Sequence, residues 1–313
     1  MGRLALVFPG QGSQKVGMGR AWADVSAAAR RTFEEADRIL GEPLSHLVFA
    51  GPEEELTATA NTQPAILTVS VAILRAVAER GVDLAPVAVA GHSLGEYAAN
   101  VAAGALDFAD AVALVRRRGV LMQEAVPAGE GAMAAIIGLD AEQVAAVVEA
   151  AAGGGEAGVV TVANDNAPGQ TVIAGHRRAV ERAVELAEQR GARLARRLPV
   201  SAPFHSPLMA PARAGLEPHL AAARFRDPAM PVVVNVDARP VRHGAELRAA
   251  LVRQVDSPVR WVESVEVMAR ELGVDTFVEV GPGNVLCGLV RRIVEGARTV
   301  SLAEPAGLDK LAS

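Results

Sequence analysis

Cysteine is almost missing from this 313-residue chain. Cys287 stands alone, so no intrachain disulfide framework is available, and a reducing compartment, the cytoplasm, is expected. Aromatic residues make up only 3% of the chain, too few for the stacking platforms that hold single-stranded nucleic acid. The formal net charge of -5 likewise offers nothing to a phosphate backbone. Lysine occurs only as Lys15 and Lys310; the other cations are arginines. No cysteine–histidine cluster has zinc spacing, so no metal is expected. No apolar run approaches the roughly 20 residues that a membrane-spanning helix needs. The run Leu4–Phe8 is too short for a secretory leader and stops at Pro9-Gly10, so no signal peptide is expected.

What remains is a chain that is half hydrophobic, able to bury one large core or two modest ones. Its most informative stretch is Gly91-His92-Ser93-Leu94-Gly95, preceded by the apolar run Val87–Ala90 and followed by an amphipathic segment over 97–104. That reads as strand, tight turn and helix with a serine at the turn, the G-x-S-x-G nucleophile elbow. The glycines allow a close turn that a Cβ would obstruct. The helix start beside Ser93 favours developing negative charge, as acyl transfer requires. The competing reading is an ordinary surface turn in a Gly- and Ala-rich chain.

Around the elbow the pattern is α/β. Leu4–Phe8 reads as a buried strand, with helical patterns over 20–40 and 63–80 and a further helix over 108–126 capped by Asp107. From Ala132 the order changes. Strand 133–139, helix 141–152, a Gly-rich turn at 153–155 and strand 159–163 lead into a polar loop over 164–169. Strand 171–174, helix 178–190 and strand 192–200 complete it. This βαββαβ order is that of a ferredoxin-like unit. The expectation is a self-contained subdomain, residues 129–200, inserted in a larger domain formed by 1–128 and 201–313 that resumes near Ser201. In that larger domain a helix begins with Ser206 as cap and Pro207 in its first turn, and strands follow at 232–235 and 276–280.

A serine hydroxyl needs a base within hydrogen-bond reach. Six histidines are present. His92 adjoins Ser93, but its side chain is expected to point away. His46, His176, His219 and His243 lie in polar or helical settings that suit a surface. His205 sits where a strand gives way to a loop, the place where α/β folds carry function. It is a candidate base, or a satisfied loop histidine. Of the triplet Arg116-Arg117-Arg118, Arg118 lies about 50° from the centre of its helix's apolar face, Arg116 about 110° and Arg117 about 150°. Arg118 is therefore drawn inward and needs an anion, because an unpaired buried charge is very costly. A guanidinium fork suits a carboxylate, supplied either by the core or by a substrate. Gly10-Gln11-Gly12 offers backbone amides but lacks the Walker ending of a phosphate loop; amides of Gln11 and Leu94 could form an oxyanion hole.

Together these segments resemble the malonyl-CoA:acyl carrier protein transacylase family over nearly the whole chain. The resemblance rests on Phe8-Pro9-Gly10-Gln11-Gly12-Ser13-Gln14, Gln63-Pro64-Ala65, the elbow through Tyr97, and Arg118-Gly119 with Met122-Gln123. It continues in Asn164–Gln170, Pro203-Phe204-His205-Ser206, Gln254 ahead of Pro258-Val259-Arg260-Trp261, and Gly281-Pro282-Gly283. It implies an α/β-hydrolase-like core with a ferredoxin-like insert, Ser93 as the acylated nucleophile and His205 as its base. It also implies that Arg118 binds the malonyl carboxylate, Gln11 and Leu94 hold the oxyanion, and Gln254 orients His205 through a backbone carbonyl. Gln63 is expected to line the substrate site. Phe204 and Leu94 look like the malonyl-selecting versions. Asp256 is expected to be an exposed loop acid outside the site. Asn284 and Asn100 depart from the more usual lysine and small or apolar residue, at non-catalytic positions. The implied substrate is malonyl-CoA and the implied partner an acyl carrier protein with its phosphopantetheine. Carrier proteins are usually acidic, so docking calls for a basic patch; the arginine cluster over 177–197, with Arg190 and Arg193, is the candidate, and a solvated helix face is the competing reading. No permanently bound cofactor, nucleic acid or membrane is expected, and a monomer is. A thioesterase using the same serine and histidine is the alternative.

Overall fold

The computed structural model describes residues 2–153, 158–200 and 202–312. Its eleven described strands are β1 Leu4–Phe8, β2 Ala88–Gly91, β3 Gly131–Ile137, β4 Val160–Ala167, β5 Gln170–His176, β6 Leu194–Arg197, β7 Val232–Val234, β8 Arg239–Val241, β9 Val259–Arg260, β10 Thr276–Glu279 and β11 Arg298–Ser301. They form two sheets. The first has the order β11-β10-β1-β2-β7-β8 and is parallel except for the β7–β8 hairpin. Its central strands read as unbroken apolar runs because both faces are covered: Ala5 to Phe8 and Ala88 to Ala90 are all buried. In register, Phe8 lies opposite Gly91, so the Gly10–Gly12 turn and the elbow leave the sheet side by side.

The second sheet has the order β6-β3-β5-β4-β9. Helices Ala141–Ala152 and Arg177–Gln189 cover one of its faces through a separate apolar core that includes Ile136, Val144, Ile173 and Val180. This sheet is not closed within 129–200. β9, a two-residue strand from far later in the chain, pairs parallel with β4. The stretch 164–169, expected as a loop, is strand through Ala167, with register shifts after Val162 and after Asp165. Its polar residues stay in the ladder because β5 bonds one edge and β9 the other. The expected strand 192–200 is paired only over Leu194–Arg197. Part of the Gly-rich turn, Gly154 and Gly155, and the boundary residue Ser201 lie outside the described residues.

Several helix starts differ from expectation for local reasons. The 20–40 pattern breaks into Arg20–Val25 and Ala27–Leu40, because Ser26 is extended and its hydroxyl accepts from Ala29 N at 3.1 Å as a cap. Asp107 precedes helix Phe108–Glu124 without capping it by side chain. Its carboxylate forms a bidentate pair with Arg226 instead, both bonds at 2.8 Å. Ser206 donates to Pro203 O at 2.7 Å rather than capping, and a single 3₁₀ turn, Pro207–Met209, precedes helix Ala210–Ala222.

The second helical pattern begins four residues early, at Thr59, and runs to Glu79 with Pro64 inside it. Proline at that position leaves the carbonyl of Ala60 without its helical donor. Arg116 Nη1 supplies one at 2.8 Å from the neighbouring helix. Gly119 lets the two helices meet there, since a Cβ would lie 2.7 Å from Thr59 O.

Candidate active site

The elbow is built by close packing. A Cβ at Gly91 would lie 1.9 Å from Gly95 C, and one at Gly95 would lie 2.0 Å from Phe8 O. Only glycine at both positions lets β2, the turn and helix Gly95–Ala102 come this close. The strained residue between them is Ser93 itself, with φ 51°. This lifts its hydroxyl out of the turn toward the second sheet.

His205 meets it there. The loop leaving the second sheet delivers this residue, also at positive φ (58°) and almost fully buried. Ser93 Oγ lies 2.7 Å from His205 Nε2. On the other side of the ring, Nδ1 faces the backbone carbonyls of Gln254 at 2.9 Å and Ser257 at 3.2 Å. Carbonyls only accept, so Nδ1 must carry the proton, which leaves Nε2 to accept from the serine hydroxyl. Burial, then the nearby Arg118 charge, lowers the His205 pKa to about 3. The ring is therefore neutral at pH 7, the state a general base requires.

The helical-wheel ordering of the arginines holds. Arg117 is exposed, Arg116 half-buried and Arg118 only 1% exposed. Arg118 Nη1 donates to Gln63 Oε1 at 2.9 Å, and Nη2 donates to Gln254 Oε1 at 3.0 Å and to Ser93 Oγ at 3.1 Å. These acceptors are all neutral. Among the described residues no carboxylate stands within ion-pair distance of the guanidinium, and its Nε has no partner. Of the two anions weighed from the sequence, the core does not supply one in contact.

Gln11 and Leu94 flank the serine, and neither backbone amide has an acceptor among the described residues. The Gln11 side chain is tied back, with Nε2 donating to Thr59 Oγ1 at 3.2 Å. All these groups open into one cleft of about 190 Å³ between the two sheets. The first sheet and its helices contribute Gln11, Gln63, Ser93, Leu94, Arg118 and Met122. The second sheet and its exit loop contribute an apolar wall of Met133, Val172, Leu198, Val200 and Phe204. Every residue singled out for the site is therefore found at this cleft or, for Gln254, directly behind it. The remaining pair, Arg190 and Arg193, lies outside on the exposed edge next to β6.

Three features were not anticipated. His92 does avoid Ser93, but it lines the same cleft and bridges the sheets through a 2.8 Å bond between Nε2 and Asn166 Oδ1. The Asn164/Asn166 alternation in β4 was the available signal, hidden by reading the segment as a loop. Asp256 is not exposed: it is half-buried and paired with Arg213 at 3.3 Å, still away from His205. Finally, a polar cluster of Glu96, Asn100 and Asn235 is fully buried under the elbow. The non-standard Asn100 belongs to it, donating to Glu96 O at 2.8 Å.

A serine and a neutral histidine in hydrogen bond, beside backbone amides without acceptors and a guanidinium with no carboxylate in contact, are groups that acyl transfer can use. The chain belongs to the acyl transferase family, whose domain model matches residues 5–310. More particularly, its relatives carry the name malonyl CoA-acyl carrier protein transacylase, as the resemblance implied. The protein of that name from Escherichia coli (strain K12) is 51% identical over 311 residues, 98% of each chain. The one from Bacillus subtilis (strain 168) is 48% identical over 309 residues, 99% of this chain and 96% of the relative. Among solved structures, an acyl carrier protein S-malonyltransferase from Vibrio cholerae O1 biovar eltor superposes with TM-score 0.95 at 48% identity, over 99% of both chains. A malonyl-transacylase in complex with its type II PKS acyl-carrier protein superposes with TM-score 0.94 at 47% identity, over 98% of both.

Proposed function

We propose that this chain moves a malonyl group from malonyl-CoA to the phosphopantetheine thiol of an acyl carrier protein, in two half-reactions through a malonyl-Ser93 ester. The observation that carries the substrate is Arg118: a buried guanidinium 3.1 Å from the nucleophile and lacking a carboxylate. The free carboxylate of a malonyl group supplies it.

In the first half-reaction Ser93 Oγ bonds to the thioester carbonyl carbon while its proton passes to His205 Nε2. The amides of Gln11 and Leu94 receive the oxyanion of the tetrahedral intermediate. The C–S bond then breaks, and His205 returns the proton to the departing CoA thiolate. In the second half-reaction His205 takes the proton of the carrier's thiol, sulfur attacks the ester, and the proton returns to Ser93. Gln254 holds the imidazole through its carbonyl, Gln63 braces Arg118, and Phe204 closes the acyl pocket. The relatives above are transferases, and hydrolysis by the same pair has no support among them.

We read residues 1–128 and 201–313 as an α/β-hydrolase-like catalytic unit, supported by the parallel β10-β1-β2-β7 sheet with a nucleophile at the end of β2. We read 129–200 as a ferredoxin-like subdomain, supported by the spatial order β6-β3-β5-β4 with two helices on one face. The carrier is placed on the exposed edge carrying Arg190 and Arg193, because the chain runs from there through β6 to Leu198 and Val200 in the cleft wall. A cytoplasmic monomer without bound cofactor fits this reading; among the described residues no helix is long and apolar enough to cross a membrane. The decisive experiment is peptide mass spectrometry after incubation with malonyl-CoA. A malonyl ester on the Ser93 peptide is expected, absent in Ser93→Ala and discharged by holo-carrier. Covalent labelling that persists in Ser93→Ala rejects the assignment.

A further inference from the structure

Ser93 holds a left-handed conformation that a side-chain-bearing residue keeps only when its surroundings over-determine it. Two side chains do so. Asn235 Oδ1 accepts from Ser93 N at 2.7 Å while its Nδ2 donates to Gly91 O at 2.7 Å, which bridges the turn. Gln254 Nε2 donates to Ser93 O at 3.1 Å. Both clamps converge on one atom, Glu96 Oε2, which accepts from Asn235 N at 2.8 Å and from Gln254 Nε2 at 2.9 Å. Gln254 then continues outward, with Oε1 on Arg118 and its main-chain carbonyl on His205.

One carboxylate oxygen therefore stands one residue away from the nucleophile, the base and the guanidinium. Glu96 is 0% exposed and takes part in no contact ion pair among the described residues. An apolar side chain of similar size would fill the space without the desolvation penalty of a carboxylate. Filling space thus does not account for it; its acceptor geometry does.

The geometry points to Glu96 as a positioning residue for acyl transfer, acting through Asn235 and Gln254 to hold Ser93, His205 and Arg118 in one frame. Glu96 touches no reacting atom. Its contribution is orientation, where a displacement of about 1 Å costs on the order of 100-fold in rate.

The test uses Glu96→Ala, Glu96→Gln and Asn235→Ala in the full chain, with two readouts. The first is malonyl transfer to holo-carrier, which rests on the function proposed above. The second is labelling of Ser93 by a fluorophosphonate, a serine-directed electrophile without a malonyl group. Both alanine variants are expected to lose about 100-fold in kcat and in labelling rate, with KM for malonyl-CoA within about threefold, since orientation affects the transition state and spares ground-state binding. Glu96→Gln keeps an acceptor oxygen and is expected to recover to within about tenfold of the parent. Should Glu96→Ala fail to fold, Asn235→Ala carries the comparison alone. The inference is overturned if a folded alanine variant keeps its labelling rate within about threefold, if the loss falls on KM instead of kcat, or if glutamine does no better than alanine. If the parent chain labels at Ser93 yet transfers no malonyl group, the function proposed above fails, and the labelling rates still decide the role of Glu96.

Discussion

The two sheets face one cleft and equip it differently. On the first sheet Ser93 is held by its turn and Arg118 by Gln63 and Gln254, and His205, arriving on the loop from the second sheet, is held by two carbonyls. The second sheet presents an apolar wall toward the cleft and an arginine-rich edge toward solvent. On the function proposed above, the malonyl carboxylate meets the hydrogen-bonded side, at Arg118, while the acyl chain meets the apolar wall and the carrier the arginine-rich edge. The lesson is one of stiffness: the polar groups around Ser93 are each fixed by hydrogen bonds, while the facing wall of Met133, Val172, Leu198, Val200 and Phe204 is held by packing.

That contrast can be broken most severely at Arg118. Arg118→Ala is expected to lower kcat/KM for malonyl-CoA by about 100-fold, in the range for losing one partner of a buried charge pair. Acetyl transfer should be spared or raised. Equal losses for both acyl groups, measured by mass spectrometry of the carrier, would make Arg118 a scaffold and dissolve the distinction. A smaller effect is expected on the other sheet. Reversing charge at Arg190 and Arg193 should raise KM for the carrier about three- to tenfold, with salt sensitivity, and leave the malonyl-CoA half-reaction unchanged. An unchanged carrier KM would remove the docking edge.

The smallest expected effect concerns pH. His205, lowered from 6.5 to about 3 by burial and then by Arg118, stays neutral well into acid. Between about pH 7 and pH 5 loss of the neutral imidazole should lower kcat/KM less than about twofold, where an ordinary imidazole would lose about 25-fold. The stability sign is opposite to that robustness. The unfolded chain takes up this proton near 6.5 and the folded one only near 3, so His205 makes the fold less stable as pH drops through that window. Burial raises Glu96 to about 7, in the same window, so an acid limb near 6.5 that persists in Glu96→Gln would show that the imidazole is not buried in solution.

Much of the site was legible because it obeys short-range rules. A helical wheel separated Arg118 from its two neighbours, and a strand–turn–helix pattern located Ser93. The position of His205 after a strand made it a candidate, though only the resemblance gave it a role. Long-range pairings left no such trace. Asn235 is 139 residues from Glu96 and reads as the end of a strand. β9 is two residues long and joins a sheet whose other strands end some sixty positions earlier. Asp107 and Ser206 have the right chemistry for caps, yet each found a better partner in the folded chain, Arg226 and the Pro203 carbonyl. Local propensity supplies the options, and tertiary competition selects among them.

The contact at Gly119 reaches further than its size suggests. Backbone presses on backbone one residue beyond Arg118, so the offset between the two helices is set by atoms that have no rotamers to change. One jaw of a gauge is thereby set: main chain fixes where Arg118 leaves its helix, and Gln63 and Gln254 hold its tip. On the function proposed above, a diacid with a longer spacer would press against helices whose spacing at this point is set by backbone. Room for it would have to come from trimming side chains that line the cleft, such as Met122 or Phe204, since the helix spacing itself has no slack to give.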